Sequence, residues 1–221
     1  LLAMVVAMPH FLLLNKSLRG GGGIDSKRGP LQSPVVLGIN AVDSGACTAV
    51  LYLFQHRETA SDLVELAAGQ RLHTSFTRVG GLFRDVPEEF LPLLERFLEE
   101  CSRATDELES LLTRNPIWHD RTKGVGAMSI ADAVNWGYSG PSLRASGLAQ
   151  DLRVNQPYMG YQDYDFDVPV GTTGDVFDRY LVRVEEMRQS LRIIRQAVDR
   201  REGGPVVVDD YKLALPPKEK V

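Results

Sequence analysis

Cysteine is the scarcest of the residues that define a class of protein, because the 221-residue chain contains only Cys47 and Cys101. Two cysteines exclude a disulfide scaffold, a zinc site built from thiolates and a self-contained iron–sulfur cluster with four thiolate ligands. The four histidines show none of the paired spacings of zinc enzymes. No metal site is therefore expected in this chain, and a reducing, intracellular location is the default expectation.

The sequence also has little excess charge and no long apolar run. Its 29 acidic and 25 basic residues leave a net charge of −4, so no nucleic-acid partner is expected. The apolar stretch at residues 1–14 is shorter than the roughly 20 residues of a spanning helix. Basic residues follow this stretch, whereas they precede the apolar part of a signal peptide. Dinucleotide-binding and nucleophile-elbow glycine motifs are absent as well.

The N-terminal residues 1–34 differ in texture from the rest of the chain. Their apolar start is followed by four consecutive glycines, two prolines and a few basic residues. Such a composition is typical of a flexible segment and cannot form a packed core. We expect a leader or linker here.

From residue 35 onward the pattern predicts a mainly α protein. Residues 35–115 form the helical part, with two helices or one bent helix over Ala46–Ala68, stopped by Gly69. Asp85 begins a capping pattern with an early proline, which predicts a helix that runs to about Leu112. Its apolar residues recur on one face and include Cys101, which is expected in the core.

The second half of the chain predicts an irregular insert followed by one long helix. Residues 116–171 are rich in glycine and proline, so loops and short strands are expected there, with one short helix from about Ser129, capped by Asp132. Residues 172–202 carry a helical period, with Asp175 and Arg179 as an i,i+4 pair. Residues 203–221 predict an extended tail.

Two sets of arginines leave their role open on the residues alone. Arg188, Arg192 and Arg195 share one helical face, which is either a solvated surface or a docking strip for acidic groups. Arg144 and Arg153, with Asp151 between them, lie in the insert. They act either as structural pins of the loops or as holders of an anionic or polar partner.

The motifs along the chain resemble the D subunit of NADH-quinone oxidoreductase, the quinone-site subunit of respiratory complex I, which is related to nickel–iron hydrogenase large subunits. The resemblance covers roughly residues 35–215. It rests on the motifs DSGA at 43–46, GQRLH at 69–73, RVGG at 78–81, SGPSLRASG at 139–147, DLR at 151–153, QPY at 156–158 and GDVFDRYLVRVEEMRQS at 174–190.

The resemblance implies a fold and a set of partners. The implied fold is a hydrogenase-like helical scaffold with the irregular insert, truncated at both ends relative to the family. The implied function is electron transfer from NADH to a quinone, coupled to proton translocation. No cofactor is expected to be bound by this chain, since the terminal 4Fe-4S cluster of the family belongs to an iron–sulfur partner subunit. Other peripheral-arm subunits and the membrane arm complete the implied complex, on the cytoplasmic side of a bacterial-type membrane.

The same resemblance assigns roles to individual residues. Asp43 matches the aspartate that hydrogen-bonds a histidine of the quinone site; the alternative is an ordinary helix cap. His73, with Arg78, matches the segment beside the partner's cluster; the alternative is a core histidine. Arg144, Asp151 and Arg153 match the structural loop, and Ala49 stands where the family has proline. No residue is expected to be catalytic.

Two other functions remain open alongside the quinone-site subunit. The chain could be a non-catalytic fragment that only docks to partner subunits. It could instead belong to a related ferredoxin-linked or hydrogenase-like membrane complex.

Overall fold

The protein is represented by a computed structural model that describes residues 32–71, 76–78, 81–158, 160–201 and 204–206. Within these residues the chain is mainly α, which confirms the predicted fold class. The long elements are α1 (Gln32–Asp43), α2 (Cys47–Ala68) and α3 (Phe90–Leu112), with a hairpin of β1 (Thr77–Arg78) and β2 (Gly81–Leu82) between α2 and α3. They are followed by α4 (Pro116–Thr122), α5 (Ile130–Asn135), α6 (Gly140–Ala145), α7 (Leu152–Asn155), a 3₁₀ turn (Tyr161–Asp163) and α8 (Val176–Asp199).

Helices α1 and α2 form a hairpin around close-packed small residues. A Cβ at Gly38 would lie 2.9 Å from a methyl carbon of Val50, so only glycine lets the two helices approach this closely. Helix α1 begins three residues inside the predicted leader, because Pro34 lies in its first turn, where the missing N–H costs nothing. The remainder of that leader lies outside the described residues.

Helix α2 is one continuous helix, so of the two predicted alternatives, two helices or one bent helix, the first is wrong. The helix ends at Ala68, and Gly69 follows with a φ of +76° and donates its N–H to the Glu65 carbonyl. This left-handed ending confirms the predicted stop at Gly69. Ala49 is buried in the first turn of α2, where its N–H donates to the Ala46 carbonyl at 3.2 Å.

Helix α3 ends at Leu112 as predicted but starts five residues later than Asp85. The Asp85 carboxylate accepts the N–H of its own neighbour Val86 at 2.8 Å, rather than an N–H in the first turn of a helix. Glu89 is the residue before α3 and makes no capping bond with its side chain. The capping pattern therefore predicted the helix but misplaced its beginning.

The core has two parts, which are joined by helix α8. One cluster packs the C-terminal half of α2 and the start of α3 against Leu191, Ile194 and Ala197. The other packs α1, the start of α2 and the end of α3 against Tyr180, Val184 and Met187. Since these residues follow one another along α8, this single helix carries both clusters. Cys101 is buried in the first cluster, and burial raises the pKa of its thiol to about 12.

The expectation of short strands in residues 116–171 is wrong, because the described residues of this insert form short helices instead. Polar side chains cap α4, α5 and α7. Asn115 Oδ1 accepts the N–H of Ile117 at 2.9 Å, and Ser129 Oγ accepts the N–H of Asp132 at 3.2 Å. Ser129 is thus the cap of α5 and Asp132 its partner, the reverse of the predicted assignment.

The insert is attached to the beginning of α8 by side chains at the start of that helix. Asp175 caps α8 by accepting the N–H of Asp178 at 2.7 Å, and its other oxygen accepts the N–H of Gly124 at 2.8 Å. Arg179 donates to the carbonyls of Gly126 and Gly174, both at 2.8 Å, instead of forming the predicted pair with Asp175. Across the described ranges, no helix has the length and apolar character needed to span a bilayer.

Candidate functional site

The first candidate site is the corner between α1 and α2, where Asp43 is the last residue of α1. The N–H of Ala46 donates to the Ala41 carbonyl at 2.7 Å, and the N–H of Gly45 donates to the Val42 carbonyl at 2.8 Å. Gly45 has a φ of +90°. These bonds form a Schellman ending, which turns the chain sharply into α2.

Asp43 is not an ordinary helix cap. The residue before α2 is Ala46, and no side chain caps that helix. Asp43 instead lies at the C-terminal end of α1, where the helix dipole disfavours a negative charge. Its side chain is exposed. An exposed carboxylate in an unfavourable position at a rigid corner is available to accept a hydrogen bond from outside the described chain.

Arg121 lies at the same corner, although no sequence motif points to it. It belongs to the short helix α4, and its Nη1 donates to the carbonyl of Ser44 at 2.8 Å. The two residues are far apart in sequence, and no periodicity links them. The contact places a guanidinium beside the turn that follows Asp43, so the corner carries a positive and a negative side chain.

The corner also exposes apolar side chains. Ile39 and Val42 on α1 and Leu51 on α2 are exposed, Leu51 by 71%. The α1–α2 corner therefore combines a carboxylate, a guanidinium and an uncovered apolar surface, which is the composition of an interaction site.

His73 and Arg78, which the resemblance places beside the partner's iron–sulfur cluster, follow α2 in the sequence, whereas Asp43 precedes it. His73 is outside the described residues. Arg78 is in β1, and its backbone alone is described. Arg71, two residues before His73, forms ion pairs with Asp62 and with Glu65, the second at 3.1 Å. Helix α2 has 22 residues and is about 33 Å long, so the structure does not bring Asp43 and Arg71 together.

The structure does bring together Arg144, Asp151 and Arg153. Arg144 is buried, and it donates through Nε to Glu186 at 2.7 Å and through Nη1 to the Gln150 carbonyl at 2.7 Å. Arg153 donates through Nη2 to Asp151 at 2.5 Å, and its guanidinium stacks over Phe166 at 4.7 Å. Glu186 lies within the 174–190 motif, which assigned it no role of its own, and it connects the insert to the middle of α8.

The pKa values of the two acids in this cluster, Glu186 and Asp151, are shifted in opposite directions. Burial raises the pKa of the Glu186 carboxyl against the attraction of Arg144. Burial also acts to raise the pKa of Asp151, but hydrogen bonds and charge attraction from Arg153 hold that pKa below its ordinary value. Both arginines direct these polar contacts to groups of this chain, so the geometry is that of charged groups that fix loops.

The surface arginines of α8 also have internal partners. Arg188 donates to Asp106 at 2.9 Å and to Glu109 at 2.5 Å, both on α3. Arg192 pairs with Asp165 and, at 3.0 Å, with Asp167. Both arginines and their acidic partners remain partly exposed, which fits the predicted solvated face, and their ion pairs join α8 to other parts of the same chain.

The potential metal ligands of the chain are dispersed. In the described ranges, no three histidine, cysteine, aspartate or glutamate side chains converge in a way that would hold a metal ion. Cys47 is exposed and Cys101 is in the core, so the two thiols do not share a site.

Comparison with known families decides what this fold belongs to. The family model of the respiratory-chain NADH dehydrogenase, 49 Kd subunit, matches residues 43–221. The chain belongs to this family. The match begins at Asp43 and includes all the predicted site residues, together with Arg121 and Glu186.

Several curated members of the 49 Kd family are similar over most of this chain. The NADH-quinone oxidoreductase D subunit of Myxococcus xanthus is 48% identical over 185 residues, which are 84% of this chain and 45% of that protein. The second D subunit of Chloroflexus aurantiacus is 47% identical over 85% of this chain and 46% of its own length. The D subunit of Thermus thermophilus is 47% identical over 83% of this chain and 45% of its own length. The chain spans slightly less than half the length of these relatives.

Proposed function

We propose that this chain acts as part of the D subunit of an NADH-quinone oxidoreductase, in which it helps to form the quinone-binding region. The observation that carries the proposal is the 49 Kd family match, which covers every candidate site residue. The name of the similar proteins supplies the two substrates, NADH and a quinone.

Asp43 is the residue proposed to support the quinone site. Its exposed carboxylate at the end of α1 can accept a hydrogen bond from an imidazole N–H. Such a bond fixes the tautomer of the histidine and stabilises its charged form. Because the Schellman turn and Arg121 hold the corner, the carboxylate keeps a defined position. Its contribution is therefore positioning and electrostatics rather than a covalent step.

The electron path of the proposed complex runs through groups that other subunits hold. A 4Fe-4S cluster needs four thiolate ligands, and this chain has two cysteines in unrelated places. From the resemblance to the 49 Kd family, we assign the cluster to an iron–sulfur partner subunit, with His73 and Arg78 on the side of this chain that faces it. Coupling to proton translocation, a peripheral position on the cytoplasmic side of the membrane and contacts with the membrane arm belong to the same proposal.

The test is quinone reduction by a complex assembled with this chain. Asp43→Asn removes the negative charge but keeps the shape, so we expect quinone reduction to fall at least about tenfold, equivalent to roughly 1.4 kcal/mol of barrier. Oxidation of NADH with ferricyanide as the electron acceptor should not change, because that reaction bypasses the quinone.

Asp199→Asn is the matched control. Asp199 is also an exposed aspartate at the end of a helix, α8, and is far along the chain from the corner. It should leave both activities unchanged. A complex that assembles but reduces no quinone with the unmodified chain would contradict the proposal and would favour a chain that only docks. Equal activity of the two variants would exclude the role assigned to Asp43.

A further inference from the structure

Residues 124–150 of the insert expose apolar side chains but almost no charge. The range contains two charged side chains, Asp132 and Arg144, whereas 24% of the whole chain is charged. Arg144 is buried and Asp132 is exposed, so this stretch presents a single charged group to solvent. Trp136, in the same stretch, is 76% exposed. Depletion of charge and an exposed aromatic side chain are typical of the centre of a protein interface.

Four exposed aliphatic side chains of the insert lie in one region of its surface. We call them the insert patch, and they are Ile130, Val134, Leu148 and Val170, with exposed fractions from 37% to 53%. Ile130 and Val134 are one turn apart on α5. A Cβ at Gly147 would lie 3.5 Å from Cδ1 of Ile130 and 3.8 Å from the carbonyl oxygen of Gly171. Leu148 and Val170 adjoin these two glycines in the sequence, so two segments of the insert meet at the patch.

The backbone beside the insert patch is held by groups inside the chain. The Arg144 carbonyl accepts the N–H of Gly171 at 2.9 Å, while the Arg144 side chain donates to Glu186 at 2.7 Å. A Cβ at Gly171 would lie 2.5 Å from the carbonyl oxygen of Ala145, so the two segments pack backbone against backbone. A surface whose backbone is fixed before binding loses little conformational entropy when it binds. The buried arginine and the glycine therefore preorganise the patch.

The size and charge of the insert patch decide between possible occupants. Its four side chains expose on the order of 300 Å² of apolar surface, the size of patches that are often functional in monomers. A stable dimer needs about 800 Å² from each copy, so the patch is too small to hold two copies of the chain together. The exposed charge of residues 124–150 is negative, which suits neither anionic lipid nor nucleic acid. The occupant that fits is an uncharged apolar protein surface within a larger assembly.

We propose that the insert patch docks an uncharged apolar surface of another subunit of the NADH-quinone oxidoreductase. This docking rests on the proposed function, because it needs the complex in which that subunit occurs. None of the four patch residues belongs to the corner that carries Asp43. The chain thus has one surface for the quinone region and a second for assembly.

Photo-cross-linking in a complex assembled with this chain tests the docking. Replacing Val134 with p-benzoylphenylalanine places the cross-linking group on the insert patch. Mass spectrometry of the irradiated, purified complex then identifies the joined peptide. We expect a peptide from an apolar stretch of another subunit. An adduct only with a second copy of this chain, an adduct only with lipid, or no adduct in an assembled complex would overturn the proposal.

Charge substitutions test whether the contact supports assembly. Val134→Asp and Val170→Asp lie on different segments of the insert patch, and each would bury an unpaired carboxylate in the interface. Each should lower the fraction of this chain recovered in the complex at least about tenfold. Leu111→Asp, at an exposed apolar position of α3 outside the insert, should leave that fraction unchanged. Equal recovery of the patch variants and this control would overturn the proposal, and circular dichroism of the isolated variants checks that they fold.

The docking and the proposed function fail in different ways. A complex that reduces quinone but gives no cross-link from position 134 would overturn the docking alone. A complex that gives the expected cross-link but reduces no quinone would contradict the quinone-site role alone.

Discussion

At the scale of single residues, charge and burial separate the two groups of candidate residues. Asp43 is exposed and has no ion-pair partner among the described residues, so its carboxylate is available to a group outside them. Arg144 is buried, only 11% of the Glu186 side chain is exposed, and the two side chains satisfy each other. A buried pair is costly to break because each charge depends on the other for its lost solvation. The two groups therefore respond differently to substitution.

Arg144→Met is expected to lower the free energy of unfolding by about 3–5 kcal/mol, because it leaves the Glu186 carboxylate buried without its partner. The double variant Arg144→Met with Glu186→Gln should recover part of this loss. Urea denaturation monitored by circular dichroism measures both effects.

Arg96→Met is the control for Arg144, since Arg96 also pairs with a glutamate but is largely exposed. It should leave the free energy of unfolding almost unchanged, because water replaces the lost partner. A similar loss in Arg96→Met and Arg144→Met would contradict the assignment of Arg144 to a buried structural pair.

At the scale of elements, the positions where helices begin and end depend on glycines with different surroundings. Gly69 and Gly174 both have positive φ, +76° and +68°. A Cβ at Gly69 would meet no atom within 4 Å, whereas a Cβ at Gly174 would lie 2.4 Å from the carbonyl oxygen of Met128. Gly174 therefore permits the insert to pack against the start of α8, and Gly69 only permits a helix to end.

The two glycines give a matched pair of variants. Gly69→Ala should cost only the backbone strain, about 1–2 kcal/mol. Gly174→Ala should cost more, because the Met128 backbone must move as well. Thermal or urea unfolding of the two variants measures the difference, and equal losses would show that the contact between the insert and α8 yields easily.

At the scale of the whole molecule, α8 makes one folding unit from two apolar clusters. Leu98 lies in the cluster around the C-terminal half of α2, and Trp118 lies in the cluster around the start of that helix. Because α8 contributes residues to both, loss of packing in one cluster should destabilise the other.

Leu98→Ala should lower the free energy of unfolding by about 2–5 kcal/mol. The shift should be the same when unfolding is followed by Trp118 fluorescence, in a Trp136→Phe background, as when it is followed by circular dichroism. Leu111→Ala, at an exposed position of the same helix, should change neither. Separate transitions from the two probes would show that the clusters unfold independently.

The sequence by itself determined the family, the mainly α class and most of the long helices. These features depend on local signals, such as the 3.6-residue period of α3 and α8 and the left-handed glycine after α2, which each helix carries within its own residues. Local signals were weaker in the insert, where the density of glycine and proline predicted loops and short strands. Short helices form there instead. Two of them are capped by the side chains of Asn115 and Ser129, and such a single hydrogen bond can decide whether a short segment is a helix or a loop.

Only the tertiary structure decided which residues share a site. It placed Arg121 against the Ser44 carbonyl, paired Arg144 with Glu186 and brought together the two segments that form the insert patch. It also set Asp43 and Arg71 at opposite ends of α2. Contacts between residues distant along the chain depend on how helices pack against one another, and no period or spacing within a single segment encodes that packing.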